Sequence, residues 1–179
     1  YTHGYYAGLN PLNLNLALIH AGIRPPIIKN ACELGFGQGI SINFHSADNS
    51  INWAGNDFNP AHVSFAKELN STIGNKTLLS DDDFETFCKY PNLPNFDFIG
   101  LHGIWSWVSN SNKSIIIEFI KNKLNVGGVV YVSYNSQNAW ASMIPVRDLM
   151  TYYANTMEPS GSGRIGGING ALKSVSYTH

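Results

Sequence analysis

The sequence predicts an α/β fold, a doubly wound and mostly parallel sheet with helices on both faces. Three observations predict it. Short apolar runs of strand length alternate with segments of helical periodicity, joined by short connections. The run from Phe96 to Leu101 is nearly continuous in apolar character, as a strand buried on both faces must be. Glu33, Asp57, Asp81, His102 and Ser133 all fall at carboxyl ends of expected strands, where ligands of such sheets bind.

The elements follow in order. Asn10-Pro11 starts a helix in which Leu12, Leu16, Ile19 and His20 recur at helical spacing, and Gly22 with Pro25-Pro26 ends it. Ile27 to Glu33 reads as strand one, and the next helix begins at Gly39 and runs to His45. Ile51 to Asp57 is strand two. Asn59-Pro60 opens a helix whose buried face carries Val63, Ala66 and Leu69. Thr77 to Leu79 is a short strand three. Asp81-Asp82-Asp83-Phe84 then starts a short helix or loop, its acids suited to a helix N-terminus. After strand four, Phe96 to Leu101, the residues Ile116, Phe119, Ile120 and Leu124 mark a helix closed by Gly127-Gly128. Val129 to Ser133 is strand five, the last strand the sequence marks. Val146 to Met157 reads as helix, Gly161-Ser162-Gly163 breaks it, and a weak helix or strand reaches Val175.

Composition bounds the function classes. At 179 residues the chain is read as one domain able to bury a three-layer core. Its parts are an N-terminal lid or helix (1–25), a core (26–135) and a segment 136–179. Eleven Lys+Arg against twelve Asp+Glu leave no basic run, which argues against a nucleic-acid surface. No apolar run approaches membrane length, and no signal-peptide pattern opens the chain. Cys32 and Cys88 form no C-x-x-C pair, and Cys32 alternates with inward-facing positions of strand one. The histidines show no metal spacing. The chain begins at Tyr1-Thr2-His3 and is read as a piece of a longer, cytoplasmic protein.

The densest chemistry lies in Glu33-Leu34-Gly35-Phe36-Gly37-Gln38-Gly39, with Asp57 eighteen residues later. Alternating glycines after a strand let bare backbone pass close to a ligand. A dinucleotide fingerprint would read G-x-G-x-x-G, with an apolar strand entering the first glycine. Here the spacing is G-x-G-x-G, and a carboxylate stands two residues before it. That carboxylate repels pyrophosphate and suits a zwitterionic, cationic ligand such as S-adenosylmethionine.

These landmarks resemble the Rossmann-like (class I) S-adenosylmethionine-dependent methyltransferases over about residues 27–135. Glu33 to Gly39 looks like the family's cofactor loop, and Gly55-Asn56-Asp57-Phe58-Asn59-Pro60 looks like its ribose-binding strand end. Leu124-Asn125-Val126-Gly127-Gly128 resembles the turn before strand five. The segments Phe96 to Val108 and Tyr131-Val132-Ser133-Tyr134-Asn135 resemble signatures of a bacterial subfamily. Its members carry a methyltransferase regulatory domain and include protein-lysine methyltransferases. The chain departs from that subfamily at Ser136-Gln137-Asn138-Ala139-Trp140, where a Pro-Gly-Trp turn is usual.

The resemblance implies methyl transfer from S-adenosylmethionine to an acceptor such as a protein lysine or other amine. It implies that Glu33, Gly35, Gly37 and Gly39 hold the methionine moiety and that Asp57 accepts the ribose hydroxyls. Phe58 would pack on adenine, and one of Asp81, Asp82 and Asp83, with Asp81 or Asp82 favoured, would accept its amino group. His102, Trp105 and Tyr134 would face the acceptor, with His102 taking its proton and touching the cofactor. Trp105 and Trp107 could hold a cationic amine by cation–π attraction. Tyr1, Tyr5 and Tyr6 would fold over the cofactor as a lid or pack on other sequence. Two rivals stay open: a non-catalytic sensor or scaffold that binds S-adenosylmethionine, and an NAD-dependent oxidoreductase, which Glu33 and the loop spacing disfavour.

Overall fold

In the computed structural model the described residues are 4–47, 49–74 and 76–156. They divide into two compact units, the first ending at Tyr134 and the second beginning at Asn135. The first holds a five-stranded, wholly parallel sheet in the order β3-β2-β1-β4-β5. Its elements are α1 (Pro11–His20), β1 (Asn30–Leu34), α2 (Ile40–Ser46), β2 (Asn52–Asn56), α3 (Pro60–Ile73), β3 (Leu78–Ser80), α4 (Phe84–Phe87), β4 (Phe96–Leu101), α5 (Asn110–Lys123) and β5 (Leu124–Val132). The second unit contains α6 (Gln137–Trp140), a 3-10 turn (Ala141–Met143) and α7 (Ile144–Thr156). The expectations for Gly161-Ser162-Gly163 and the stretch to Val175 lie outside the described residues.

Alternation along the strands makes the three layers. Cys32, Leu34, Ile99 and Leu101 pack with Phe87, Ile116 and Phe119 on one face of the sheet. Ala31, Trp53 and Phe98 pack with Ile42, Val63 and Ala66 on the other. Both cysteines are free thiols, and Cys32 is fully buried where the alternation places it. Strand order turns back between β1 and β4, which opens a crevice at their carboxyl ends.

Three expectations need correction. On α3 the buried residues are Val63, Ala66 and Asn70, with Leu69 only half-buried. The stripe Leu12, Leu16 and Ile19 faces solvent, and α1 turns Pro11 and Leu14 inward instead. Leucines at 12, 14, 16 and 18 populate both sides of the helix, so periodicity alone could not choose a face. Gly127-Gly128 does not close a helix. α5 passes straight into β5, because Leu124 is already extended and pairs with Phe96. The residues between Leu124 and Val129 bulge out, with Gly127 at φ 82°.

Candidate functional site

A cavity of about 840 Å³ lies at the carboxyl ends of β1, β2 and β4. Glu33, the glycine turn, Asn56, Asp57, Phe58, His102 and Gly103 all line it. Gly4 and Tyr6 add a wall from the N-terminal segment, while Trp107, Ser109 and Asn112 add one from the approach to α5.

The three glycines of the turn share positive φ, at 69°, 61° and 70°, but do different work. A Cβ at Gly35 would stand 2.9 Å from Ile104, and one at Gly39 would stand 2.5 Å from the Cβ of Ala66. Those two glycines let the turn pack on the protein. At Gly37 a Cβ would meet nothing within 4 Å, so its missing side chain leaves cavity space open.

Three buried acceptor atoms on residues that line this cavity have no hydrogen-bond partner among the described residues: Glu33 Oε2, Gln38 Oε1 and Asn56 Oδ1. Buried polar atoms are nearly always paired, so three orphans in one cavity mark a place for a ligand rich in donors. Glu33 is 2% exposed, and burial pushes its carboxyl up to about 8. Without a cation beside it, the group is mostly protonated at neutral pH.

Asp57 is also buried, but its carboxylate is already engaged. Oδ2 accepts from Gly37 N–H at 3.0 Å, and Oδ1 accepts from Asn59 N–H at 3.0 Å. His62 Nδ1 lies 3.2 Å from the same Oδ1. Asp57 therefore fixes the glycine turn as well as facing the cavity. Phe58 is 65% exposed and presents an open ring to it.

The acids after β3 sort differently from the expectation. Asp81 is exposed, 3.9 Å from Lys67, and is not among the lining residues. Asp82 is not among them either. Its carboxylate accepts from Ser80 and Tyr90, and those bonds hold it below the usual carboxylate range. Asp83 is the acid that reaches the cavity, where it caps α4 by accepting from Thr86 N–H at 2.8 Å.

On the far side the structure brings in His102 and leaves two of its expected companions out. His102 lines the cavity, stacks on Tyr6 at 4.0 Å between ring centroids, and has its pKa lowered by desolvation. Trp105 packs against the core, with Lys113 Nζ 5.7 Å from its ring centre, and does not line the cavity. Trp107 does line it and is 77% exposed. Tyr134 is exposed beyond β5 and is not a lining residue. Tyr5 turns to α2, its hydroxyl 3.2 Å from His45 Nε2, and Tyr1 lies outside the described residues. Asn56 and Gln38 were missed because a polar residue ending a buried strand and a loop amide carry no spacing signal. Asp83 reads in sequence as one of three equivalent acids.

No family model matches the chain. It is 42% identical over 165 residues to an uncharacterized Synechocystis protein, covering 89% of this chain and 32% of that protein. Among solved structures it is similar to PKMT2 from Rickettsia typhi in complex with AdoHcy, with TM-score 0.77 and 23% identity. That match covers 100% of this chain and 35% of PKMT2. It is also similar to the plantazolicin methyltransferase BpumL in complex with SAH, with TM-score 0.57 and 14% identity, over 92% of this chain and 56% of that one. The chain thus spans about a third of the length of the Synechocystis protein and of PKMT2. Among the described residues no helix is long and apolar enough to cross a membrane. The five-stranded parallel sheet and these likenesses give the chain the Rossmann-like α/β fold of the S-adenosylmethionine-dependent methyltransferases.

Proposed function

We propose that the chain is the cofactor-binding core of a methyltransferase that uses S-adenosylmethionine and acts on an amine, a protein lysine being the favoured acceptor. The observation that carries the reading is the set of orphaned acceptors, Glu33 Oε2, Gln38 Oε1 and Asn56 Oδ1, beside the open space at Gly37. They fit a ligand that brings an ammonium group, ribose hydroxyls and an adenine amine. The AdoHcy and SAH bound by the two similar structures are the demethylated form of that cofactor.

The roles follow from position. Glu33 ionises against the ligand's ammonium, and Asp57 receives ribose hydroxyls while still bracing the turn. Phe58 offers its ring to the adenine face. Asp83, rather than Asp81 or Asp82, is the acid placed to meet the adenine edge. When bound, the cofactor supplies a methyl group on a sulfonium, and its carbon–sulfur bond breaks toward sulfur as the acceptor nitrogen bonds to carbon. The chain's own contribution is mainly orientation. His102, whose pKa desolvation lowers, takes the proton that frees the amine lone pair. Among the described residues, Glu33, Asp57 and Asp83 are the ionisable acids lining the cavity, and no Lys or Arg lines it. That balance disfavours a phosphate or carboxylate acceptor and suits a cationic amine, which the exposed Trp107 ring can hold at the rim.

Titration calorimetry with AdoHcy and with NAD tests the binding half, with AdoHcy binding and NAD failing as the expected result. Radiolabelled methyl transfer to a cell lysate tests turnover. Tight AdoHcy binding with no labelled product would favour a sensor or scaffold instead, and NAD binding alone would favour an oxidoreductase.

A further inference from the structure

The stretch from Tyr6 to Leu9 lies against the ends of β4 and β5, and two glycines make that possible. Leu9 is fully buried and occupies the space a side chain at Gly100 would need, its Cδ2 standing 2.6 Å from that missing Cβ. A Cβ at Gly8 would stand 2.5 Å from the hydroxyl oxygen of Tyr131. Tyr131, which pairs with Gly100 across the strands, is thus pinned with its hydroxyl against the Gly8 backbone. That hydroxyl lies 3.3 Å from His102 Nδ1, and the two rings are parallel to within 3°. Tyr6, whose N–H donates to Ser41 Oγ, stacks on the same imidazole. Tyr131 does not line the cavity, whereas His102 does.

We propose that Tyr131 is a positioning residue: its hydroxyl, held beside Gly8, accepts from His102 Nδ1–H and so leaves Nε2 as the proton acceptor. The hydroxyl can accept from Nδ1–H or donate to a bare Nδ1, and only the first arrangement leaves Nε2 without a proton. With Nδ1 committed to Tyr131, Nε2 is the nitrogen left to meet an acceptor. A protonated amine gives one proton to Nε2, producing imidazolium and a nitrogen with a free lone pair, and water then takes the proton from the imidazolium. This assignment rests on the methyltransferase reading for its purpose, but the tautomer itself does not.

The test reads the tautomer directly. Nitrogen-15 shifts of His102 in the ligand-free wild type should report the Nδ1–H form. In Tyr131→Phe the preference should be lost and the His102 pKa should fall, since Nδ1–H no longer has an acceptor. AdoHcy affinity should stay within about twofold. The acid limb of the pH–rate profile should move with the His102 pKa, and kcat should fall about tenfold, part of the roughly 10²–10⁴-fold a positioned base supplies. A wild-type Nε2–H tautomer overturns the proposal even if no variant is made. So does a folded Tyr131→Phe protein whose His102 shifts and titration are unchanged. Failure to bind AdoHcy would instead sink the methyltransferase reading and leave the tautomer result standing.

Discussion

The cavity has two halves built on different principles. Toward β1 and β2 it is made of backbone and buried acceptors: a glycine turn braced by Asp57, with Glu33 Oε2, Gln38 Oε1 and Asn56 Oδ1 lacking partners among the described residues. Toward β4 and the start of α5 it is made of rings, with Tyr6 on His102, Tyr131 behind, and Trp107 open at the rim. The first half has fixed polar groups awaiting one ligand of defined chemistry. The second offers ring faces and one titratable nitrogen, which suits holding an acceptor in line more than reading its identity. Changes in the first half should therefore act on cofactor affinity, and changes in the second on turnover.

The sharpest break between binding and packing lies within the glycine turn itself. Gly37→Val should lower AdoHcy affinity by at least about a hundredfold, about 2.8 kcal/mol. Its stability should fall only by the roughly 1–2 kcal/mol of left-handed strain. Gly39→Ala should do the opposite. Its Cβ runs into Ala66, so α3 must shift, and overpacking adds about 1–3 kcal/mol to the same strain. Calorimetry and thermal melts on both variants decide it. Near-normal AdoHcy affinity in folded Gly37→Val would remove the turn from the site.

Asp57 tests whether the two roles can be separated. Asp57→Ala removes the acceptor of Gly37 N–H and Asn59 N–H, each a bond to a charged group worth roughly 1.5–3 kcal/mol. Affinity should fall at least about tenfold and the melting temperature should fall with it. Lost stability with unchanged affinity would make Asp57 a brace for the turn and nothing more.

Glu33 gives the first half a pH signature. Its carboxyl is held up to about 8 by burial, and the proposed pairing with a cofactor ammonium needs the ionised form. AdoHcy affinity should therefore rise roughly tenfold from pH 6.5 to 8. The folded pKa lies above the unfolded one. The stability that Glu33 contributes in the ligand-free protein is thus fully present below about 4.5 and lost as pH rises through about 8. Glu33→Gln should flatten both slopes. A flat affinity profile in the wild type would mean that Glu33 does not meet the ammonium.

The halves also differed in how far the sequence revealed them. β4 lies where its apolar run places it, and Glu33, the glycines and Asp57 come from one strand-turn-helix-strand unit whose spacing is local. The ring half is assembled from Tyr6, His102, Trp107 and Tyr131, residues brought together only by the order of the strands and by the docking of Leu9 on Gly100. No spacing rule links them. Trp105 and Trp107 are near neighbours with opposite surroundings, since the short turn after Gly103 sends one ring to the core and the other to the rim. The exposed stripe of α1 was misread for a related reason, because its leucines satisfy two faces at once.

That pair of tryptophans provides the finest test of the division. Trp105→Ala removes a partly buried ring from the core beside α5, and should cost about 2 kcal/mol, less than the 3–5 kcal/mol of a fully buried aromatic. Trp107→Ala removes a ring that is 77% exposed and should leave stability within about 0.5 kcal/mol. Its effect should appear in turnover alone. An exposed cation–π contact is worth about 0.5–1 kcal/mol, so labelled methyl transfer should fall roughly two- to fivefold while AdoHcy affinity holds. If Trp107→Ala weakens AdoHcy binding as much as it slows transfer, the rim ring belongs to the cofactor and the two halves are one site. If Trp105→Ala slows transfer without losing stability, the ring turned to the core reaches the acceptor after all, through a rearrangement of the turn from Gly103 to Val108.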